Sequence, residues 1–210
     1  MSRRVVLLIA VSTGAVAAAS PLMDRQSEVA LALSAGPKSV ADGAGVYVLE
    51  KAGYVKVRDS KNGFVCVVDH RIPNAVEPQC MDAEGVRTVL PRVLLVASLR
   101  AQGKSEAEIR RAVKAAYADG TLKPPTRWGV DYMLSTQNVV TVDAEKGIAA
   151  PFPPHVMFYA LDLTNADIGS DGSPTSPVFI VEEKTPYALI ISAVPAGAPS
   201  HAHTAPAKIR

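Results

Sequence analysis

The sequence is poor in cysteine, in aromatic residues and in net charge, and each shortage excludes a class of protein. Only two cysteines occur in 210 residues, which excludes zinc sites built from C-x-x-C pairs. Aromatic residues make up 5%, so a core must be built mainly from Val, Leu, Ile and Ala. The formal net charge is +2 and no long basic run occurs, so nucleic-acid binding has no electrostatic support.

Residues 1–19 have the pattern of a secretory signal peptide. Arg3 and Arg4 give a positive start, an apolar run follows at 5–11, and small residues fill 15–19. The run is short for a transmembrane helix, so we expect no stable membrane insertion after cleavage. We therefore predict a periplasmic or extracellular protein. The general secretory and twin-arginine routes both stay open, because paired arginines occur in both kinds of signal.

The rest of the chain is predicted to form one α+β domain over 20–194, followed by a disordered tail at 195–210. The tail consists mostly of Pro, Ala, Gly, Ser and His, which lack the apolar content to pack. For the domain we expect an antiparallel sheet with a helical hairpin packed on it and one disulfide.

Local patterns supply the predicted elements. Turn signals at 52–53 and 59–63 indicate an antiparallel meander over 46–69, with Val55, Val57, Val65 and Val67 on one face. Apolar spacing predicts helices at 24–35, 84–102 and 106–118, the last opened by a capping box. Pro91 marks either the first turn of a helix that begins near Leu90 or a kink. Further strands are predicted at 139–142, 155–161, 178–182 and 187–194, whereas the segment 128–134 fits either a strand or a helix.

The two cysteines are predicted to form a disulfide. Cys66 lies in the most strand-like run, on the face opposite Val65 and Val67, and Cys80 ends a proline-bounded loop at 72–80. Two thiols in an oxidising compartment pair, so the bond would join a strand to the loop that leaves it. The alternatives are a nucleophilic cysteine and a pair of metal ligands, both of which lack a supporting motif.

Three segments resemble a group of uncharacterised secreted bacterial proteins. They are Asn-Gly-Phe-Val-Cys at 62–66 with a second Cys after a proline loop, Pro-His-Val-Met-Phe-Tyr-Ala at 154–160, and Thr-Asn-Ala-Asp-Ile-Gly at 164–169. These segments cover the middle and C-terminal thirds of the processed chain. The resemblance implies an exported bacterial domain. It implies no catalytic residue, because no activity is assigned to the group.

His155 and His70 are the candidate catalytic residues. His155 follows three prolines at the start of an apolar strand, where a site would be held rigidly; capping of the strand, or a bond to a neighbouring carbonyl, is the alternative. His201 and His203 lie in the tail, and weak adventitious metal binding is their default interpretation. An oxygen-rich loop holds Asp162, Asn165, Asp167 and Asp171, but the EF-hand spacing is absent. We predict neither a metal nor a cofactor.

Two functions follow from these observations. The first is a non-enzymatic periplasmic or extracellular binding or interaction module, with an unknown ligand or protein partner. The second is a hydrolase with a site near His155, helped by His70 or by the acids of 162–171. No recognised hydrolase, nucleotide or metalloprotease motif occurs, so whether the protein is an enzyme stays open.

Processing can be tested directly. We expect the exported protein to begin between Ala18 and Pro21, because small residues precede that point. N-terminal sequencing of the exported protein measures it. An intact Met1 in a membrane fraction would contradict cleavage and favour an uncleaved anchor.

Overall fold

A mixed sheet of eight strands forms the centre of the protein in the computed structural model, which describes residues 22–194. The predicted signal peptide and the predicted tail lie outside the described residues. The strands of this large sheet are β1 (Gly45–Glu50), β2 (Gly53–Arg58), β3 (Val65–Asp69), β4 (Glu77–Met81), β5 (Val130–Met133), β8 (His155–Tyr159), β9 (Val178–Val181) and β10 (Leu189–Ala193). Strands β6 (Val139–Asp143) and β7 (Ile148–Pro151) form a separate hairpin.

The helices of the described residues are α1 (Arg25–Leu33), α2 (Lys38–Ala41), α3 (Ala83–Thr88), α4 (Leu90–Ala101) and α5 (Glu106–Ala118). Asp24 caps α1 by accepting hydrogen bonds from the backbone N–H groups of Gln26 and Ser27. The capping box predicted for α5 is confirmed, since Ser105 and Glu108 each bond the other's backbone.

The predicted long helix over 84–102 is two helices. Asp82 caps α3, which ends at Thr88, and α4 begins two residues later. Pro91 stands in the first turn of α4, where its missing N–H costs no intrahelical bond. The first of the two alternatives for Pro91 is therefore confirmed.

The order of the large sheet is β2-β1-β3-β4-β5-β8-β10-β9. All neighbouring pairs are antiparallel except β1 and β3, which pair in parallel through Gly45–Val65 and Val46–Cys66. The prediction of an α+β fold is confirmed, but that of a purely antiparallel sheet is wrong. The predicted meander is wrong at its third strand, because β3 pairs with β1 and β2 therefore lies at the edge of the sheet.

The Cys66–Cys80 disulfide joins two neighbouring strands near the middle of the sheet. Cys66 and Cys80 are directly opposite in the β3–β4 ladder, with Cα atoms 4.0 Å apart, and both are fully buried. The predicted pairing is confirmed. Cys80, however, lies in β4 and not in a loop, since 77–81 pairs with both β3 and β5.

The sheet is covered on both faces. On one face Cys66, Val68 and Cys80 pack with Leu31 and Ala32 of α1. On the other face Val65, Val67 and Met81 pack with Leu90 and Val93 of α4. Helix α5 packs in turn against α4 through Ile109 and Val113, which completes the helical hairpin. Val55 and Val57 belong to the Cys66 face, so their predicted position beside Val65 is wrong.

The disulfide is expected to contribute to stability. Replacing both Cys66 and Cys80 by Ala should lower the free energy of unfolding by about 3 kcal/mol, from the entropy of closing a loop of this length. Alanine is preferred to serine because both sites are fully buried, and a serine there would have its hydroxyl group shielded from water. Urea denaturation of the exported protein measures the change.

A reducing agent supplies the control for this pair. The wild-type protein should fall to the stability of the double variant when it is reduced, whereas the variant should not respond. Equal stability of the oxidised wild type and the variant would contradict a stabilising role.

Candidate functional site

A cleft lies at the end of the sheet where β1 and β3 finish. Its walls are the segment before α1, the turn between β1 and β2, and the last turns of α4. It comprises a cavity of about 150 Å³ and a more open one of about 450 Å³. The residues that line both are Leu22, Leu49, Glu50 and Lys51.

The walls of the cleft are mostly aliphatic, and three buried charged or titratable residues lie beneath them. Leu22, Leu49, Ala97 and Ala101 belong to the wall of the smaller cavity. The three buried residues are Glu28, which lines the larger cavity, and His70 and Arg100, which line the smaller one. Mostly apolar walls with a few converging polar groups are typical of small-ligand sites.

Glu28 is the most unusual of these residues. It stands on the buried side of α1, three and four residues before Leu31 and Ala32, and is 1% exposed. Its Oε1 atom accepts a hydrogen bond from the Leu49 N–H at 2.9 Å. Its Oε2 atom is buried and has no hydrogen-bond partner among the described residues.

His70 is held next to Glu28 by three hydrogen bonds. Its Nδ1 lies 3.2 Å from the Ala75 carbonyl, which can only accept, so Nδ1 carries the proton of the neutral ring. Its backbone N–H donates to the Tyr54 hydroxyl, and its carbonyl accepts from Arg100 Nη1 at 3.0 Å. The His70 Nε2 atom then lies 3.9 Å from Glu28 Oε1.

Burial changes the pKa values of Glu28 and His70 in the direction that favours the neutral form of each side chain. Desolvation raises the pKa of Glu28 from 4.5 to about 7, although the bond from Leu49 opposes the change. Desolvation likewise lowers the pKa of His70, against the smaller effect of its bond to Ala75. Glu28 thus gains or loses its proton near neutral pH, a property that is typical of functional carboxyl groups.

Three of the other charged residues of the cleft, Arg100, Arg25 and Glu50, have ion-pair partners of their own. Arg100 donates from Nη2 to Glu106 Oε1 at 2.6 Å, and its side chain is 4% exposed. At the mouth, Arg25 and Glu50 form an exposed ion pair at 2.5 Å, and Lys51 is exposed.

His155, the first candidate from the sequence, lies elsewhere. It is 2% exposed, its Nδ1 bonds the Pro153 carbonyl at 2.8 Å, and its ring meets the edge of Phe152 with centroids 4.9 Å apart. Desolvation lowers its pKa. Two strands separate β8 from β3, so at a spacing of about 4.8 Å per strand His155 and His70 are at least about 14 Å apart. The structure does not bring the two histidines together.

In the polar loop at 162–171, the side chains of Asn165, Asp167 and Asp171 are engaged in hydrogen bonds with nearby residues. Asp167 accepts from the N–H and hydroxyl of Thr164, and Asp171 accepts from Ser173 and Ser176. Asn165 bonds both backbone groups of Ile180. Within residues 22–194, no group of three or more His, Cys, Asp or Glu side chains is placed to hold a metal ion. His201 and His203 lie outside the described residues.

A second buried acid, Asp131 of β5, is not in the cleft. It is fully buried, and neither carboxylate oxygen has a hydrogen-bond partner among the described residues. Burial, with the nearby Asp82 adding repulsion, raises its pKa well above the ordinary value. Asp131 lines neither of the two cavities, so we treat it as a buried acid of the core.

No family model matches the chain, and neither a curated protein nor a solved structure matches it. The resemblance to secreted bacterial proteins therefore stays a prediction. Among residues 22–194, no helix combines the length and apolar character that crossing a membrane requires.

Glu28 should make stability depend on pH. The pKa of Glu28 is higher in the folded chain than in the unfolded chain. Between about pH 4.5 and about pH 7, the folded chain therefore keeps a proton on Glu28 that the unfolded chain has lost. Ionisation therefore destabilises the fold progressively as the pH rises through this window. Glu28→Gln removes that cost, so its gain over wild type should grow by about 2–3 kcal/mol from about pH 5 to about pH 8.

Urea denaturation at the two pH values measures this difference. His70 has a lowered pKa and acts in the opposite direction, but it is present in both proteins and largely cancels. Glu50→Gln is the matched control at the mouth of the cleft, where an exposed ion pair contributes less than about 1 kcal/mol at either pH. A gain for Glu28→Gln that does not vary with pH would contradict the raised pKa.

Proposed function

We propose that this chain is an exported, non-enzymatic binding module of the periplasm or the extracellular space, and that the cleft beside Glu28 is its ligand site. The observation that carries the proposal is a buried carboxylate oxygen of Glu28 that has no hydrogen-bond partner in the described part of the chain and borders a cleft with largely apolar walls. A folded protein keeps such a group at a cost of several kcal/mol, unless a ligand or function compensates for it.

Export is supported by the signal-peptide pattern at 1–19 and by the disulfide. A buried Cys66–Cys80 bond is typical of proteins that mature in an oxidising compartment. The resemblance of the segments 62–66, 154–160 and 164–169 to secreted bacterial proteins points the same way, and we propose membership of that group on these grounds.

A hydrolase is the second candidate, and one observation favours it. Glu28 and His70 form an acid–base pair with a pKa near neutrality, next to a cavity. Against it, no Ser, Thr or Cys among residues 22–194 lines either cavity, so these residues supply no hydroxyl or thiol nucleophile for a covalent mechanism. The proposed His155 site lacks a link to this pair, because two strands lie between them.

The binding function can be tested by blocking the cleft. Ala101 lines the smaller cavity at the exposed end of α4, and Ala101→Trp should narrow the entrance without disturbing the core. Three small probes with the same carbon chain, n-butylamine, n-butyrate and n-butanol, are titrated into the exported protein and followed by amide NMR. We expect at least one to bind with roughly millimolar affinity and to shift Leu49, Lys51 and His70.

The matched control is Ala107→Trp, an equally exposed alanine on α5 that lies outside the cleft. Binding should weaken at least tenfold in Ala101→Trp and stay unchanged in Ala107→Trp. If none of the probes binds, or if both variants bind alike, the cleft is not the ligand site. Hydrolysis of p-nitrophenyl acetate that disappears in Glu28→Gln would favour the enzyme instead.

A further inference from the structure

The charges that face Glu28 do not neutralise it. Among residues 22–194, the charged and titratable groups around the cleft and the carboxylate are Arg25, Glu50, Lys51, Tyr54, His70 and Arg100, with Asp69 acting on Tyr54 and His70. Arg25 and Arg100 are paired with Glu50 and Glu106, and Lys51 stands in solvent at the mouth. His70 is neutral at pH 7 because burial lowers its pKa, and Tyr54 is neutral because burial raises its own.

The missing partner of Glu28 is therefore a cationic hydrogen-bond donor. An anionic ligand would be repelled by the ionised carboxylate, and a neutral donor would leave the charge uncompensated. A primary ammonium group carries one positive charge and three donors on a compact head. Arg100 does not reverse this preference, because its guanidinium already donates to Glu106 and to the His70 carbonyl.

The walls specify the rest of the ligand. Leu22 and Leu49 border both cavities, and Ala97 and Ala101 add apolar surface on the side of α4. A cavity of about 150 Å³ has the volume to admit a molecule the size of benzene, so a short aliphatic chain fits by size. Glu28 Oε2 is shielded from bulk water. The side chain best placed to move aside is Leu22, which is 48% exposed and precedes α1.

We propose that the cleft binds a small primary amine with an aliphatic body, its ammonium group on Glu28 and its carbon chain along Leu22 and Leu49. This inference rests on the proposed binding function and names the chemical class of its ligand. The bound amine would supply the counter-charge that residues 22–194 do not provide to Glu28.

The test uses n-butylamine as the probe and the exported full chain, with dissociation constants from amide NMR at about pH 6 and about pH 8. The amine stays protonated at both, since an alkyl ammonium has a pKa near 10.4 as in lysine. Glu28 goes from mostly protonated to mostly ionised across this range. Binding of n-butylamine should therefore tighten about tenfold, while binding of n-butanol should not.

Two variants test which carboxylate causes the pH dependence of n-butylamine binding. Glu28→Gln should abolish both the tightening and most of the affinity, because the amide keeps the acceptor for Leu49 but lacks the negative charge. Glu50→Gln, which removes an exposed acid from the same cleft, should keep the pH dependence. If Glu28→Gln does not fold, the wild-type comparison of n-butylamine with n-butanol decides the question alone.

The outcomes separate this inference from the proposed function. Cleft binding of n-butanol or n-butyrate that is as tight as that of n-butylamine, with no change in Glu28→Gln, overturns the amine and leaves the binding module intact. Absence of binding by every probe overturns both. A last outcome is that n-butylamine binds only after the N-terminal amino group of the processed chain has been acetylated. That amino group would then be the partner of Glu28, and the inference would also be overturned.

Discussion

The structure depends on the burial of strands β3 and β4 on both of their faces. Every residue of the two strands is buried, although 69, 77 and 79 are Asp, Glu and Gln. A strand pair in this position needs a helical layer on each side, and α1 and α3–α4 supply the two layers. The disulfide lies within this pair and turns a long-range contact into a covalent one, so the two strands cannot separate even when the layers fluctuate.

Burying an acid requires compensation, and Glu84 and Glu77 both receive it. Glu84 is 1% exposed, but hydrogen bonds from Arg87, Thr126 and Arg127 outweigh burial and lower its pKa to about 2. Glu77 accepts two hydrogen bonds from Thr141. Glu28 and Asp131 stand apart, since the former keeps one unpartnered carboxylate oxygen and the latter two. Only the first of these two lines one of the described cavities, which is the reason to seek a ligand there and not in the core.

Local signals in the sequence were sufficient for the elements that local chemistry determines. The β1–β2 hairpin and the capping box of Ser105 and Glu108 each follow from a few neighbouring residues, and the pairing of the two cysteines follows from the predicted compartment. The placement of β3 beside β1 does not, because strand order is decided by which faces the helices cover. The strand at Cys80 was not predicted, because Pro78 argues against a central strand. The structure accommodates this proline because β5 pairs with β4 only at Cys80 and Met81 and therefore needs no hydrogen bond from Pro78, which has no N–H.

The candidate site was missed for a related reason, although its signal is visible in retrospect. Glu28 interrupts the apolar side of a helix whose remaining residues predict burial, and a charge in that position indicates a buried acid. His70 was considered only as a helper of His155, because one sequence does not show which strand ends are neighbours.

The strand order itself creates the cleft. In the predicted meander, β2 would lie between β1 and β3, and the ends of those two strands would stand about 10 Å apart. In the observed order β1 and β3 are neighbours and parallel, so Leu49 and His70 lie at the same end of the sheet on adjacent parts of the chain. The Leu49 N–H can then donate to Glu28 Oε1, and His70 Nε2 lies 3.9 Å from the same oxygen. Helices α1 and α4 cover this end of the sheet from opposite faces. The parallel pair that local patterns could not predict is thus the feature that assembles the site.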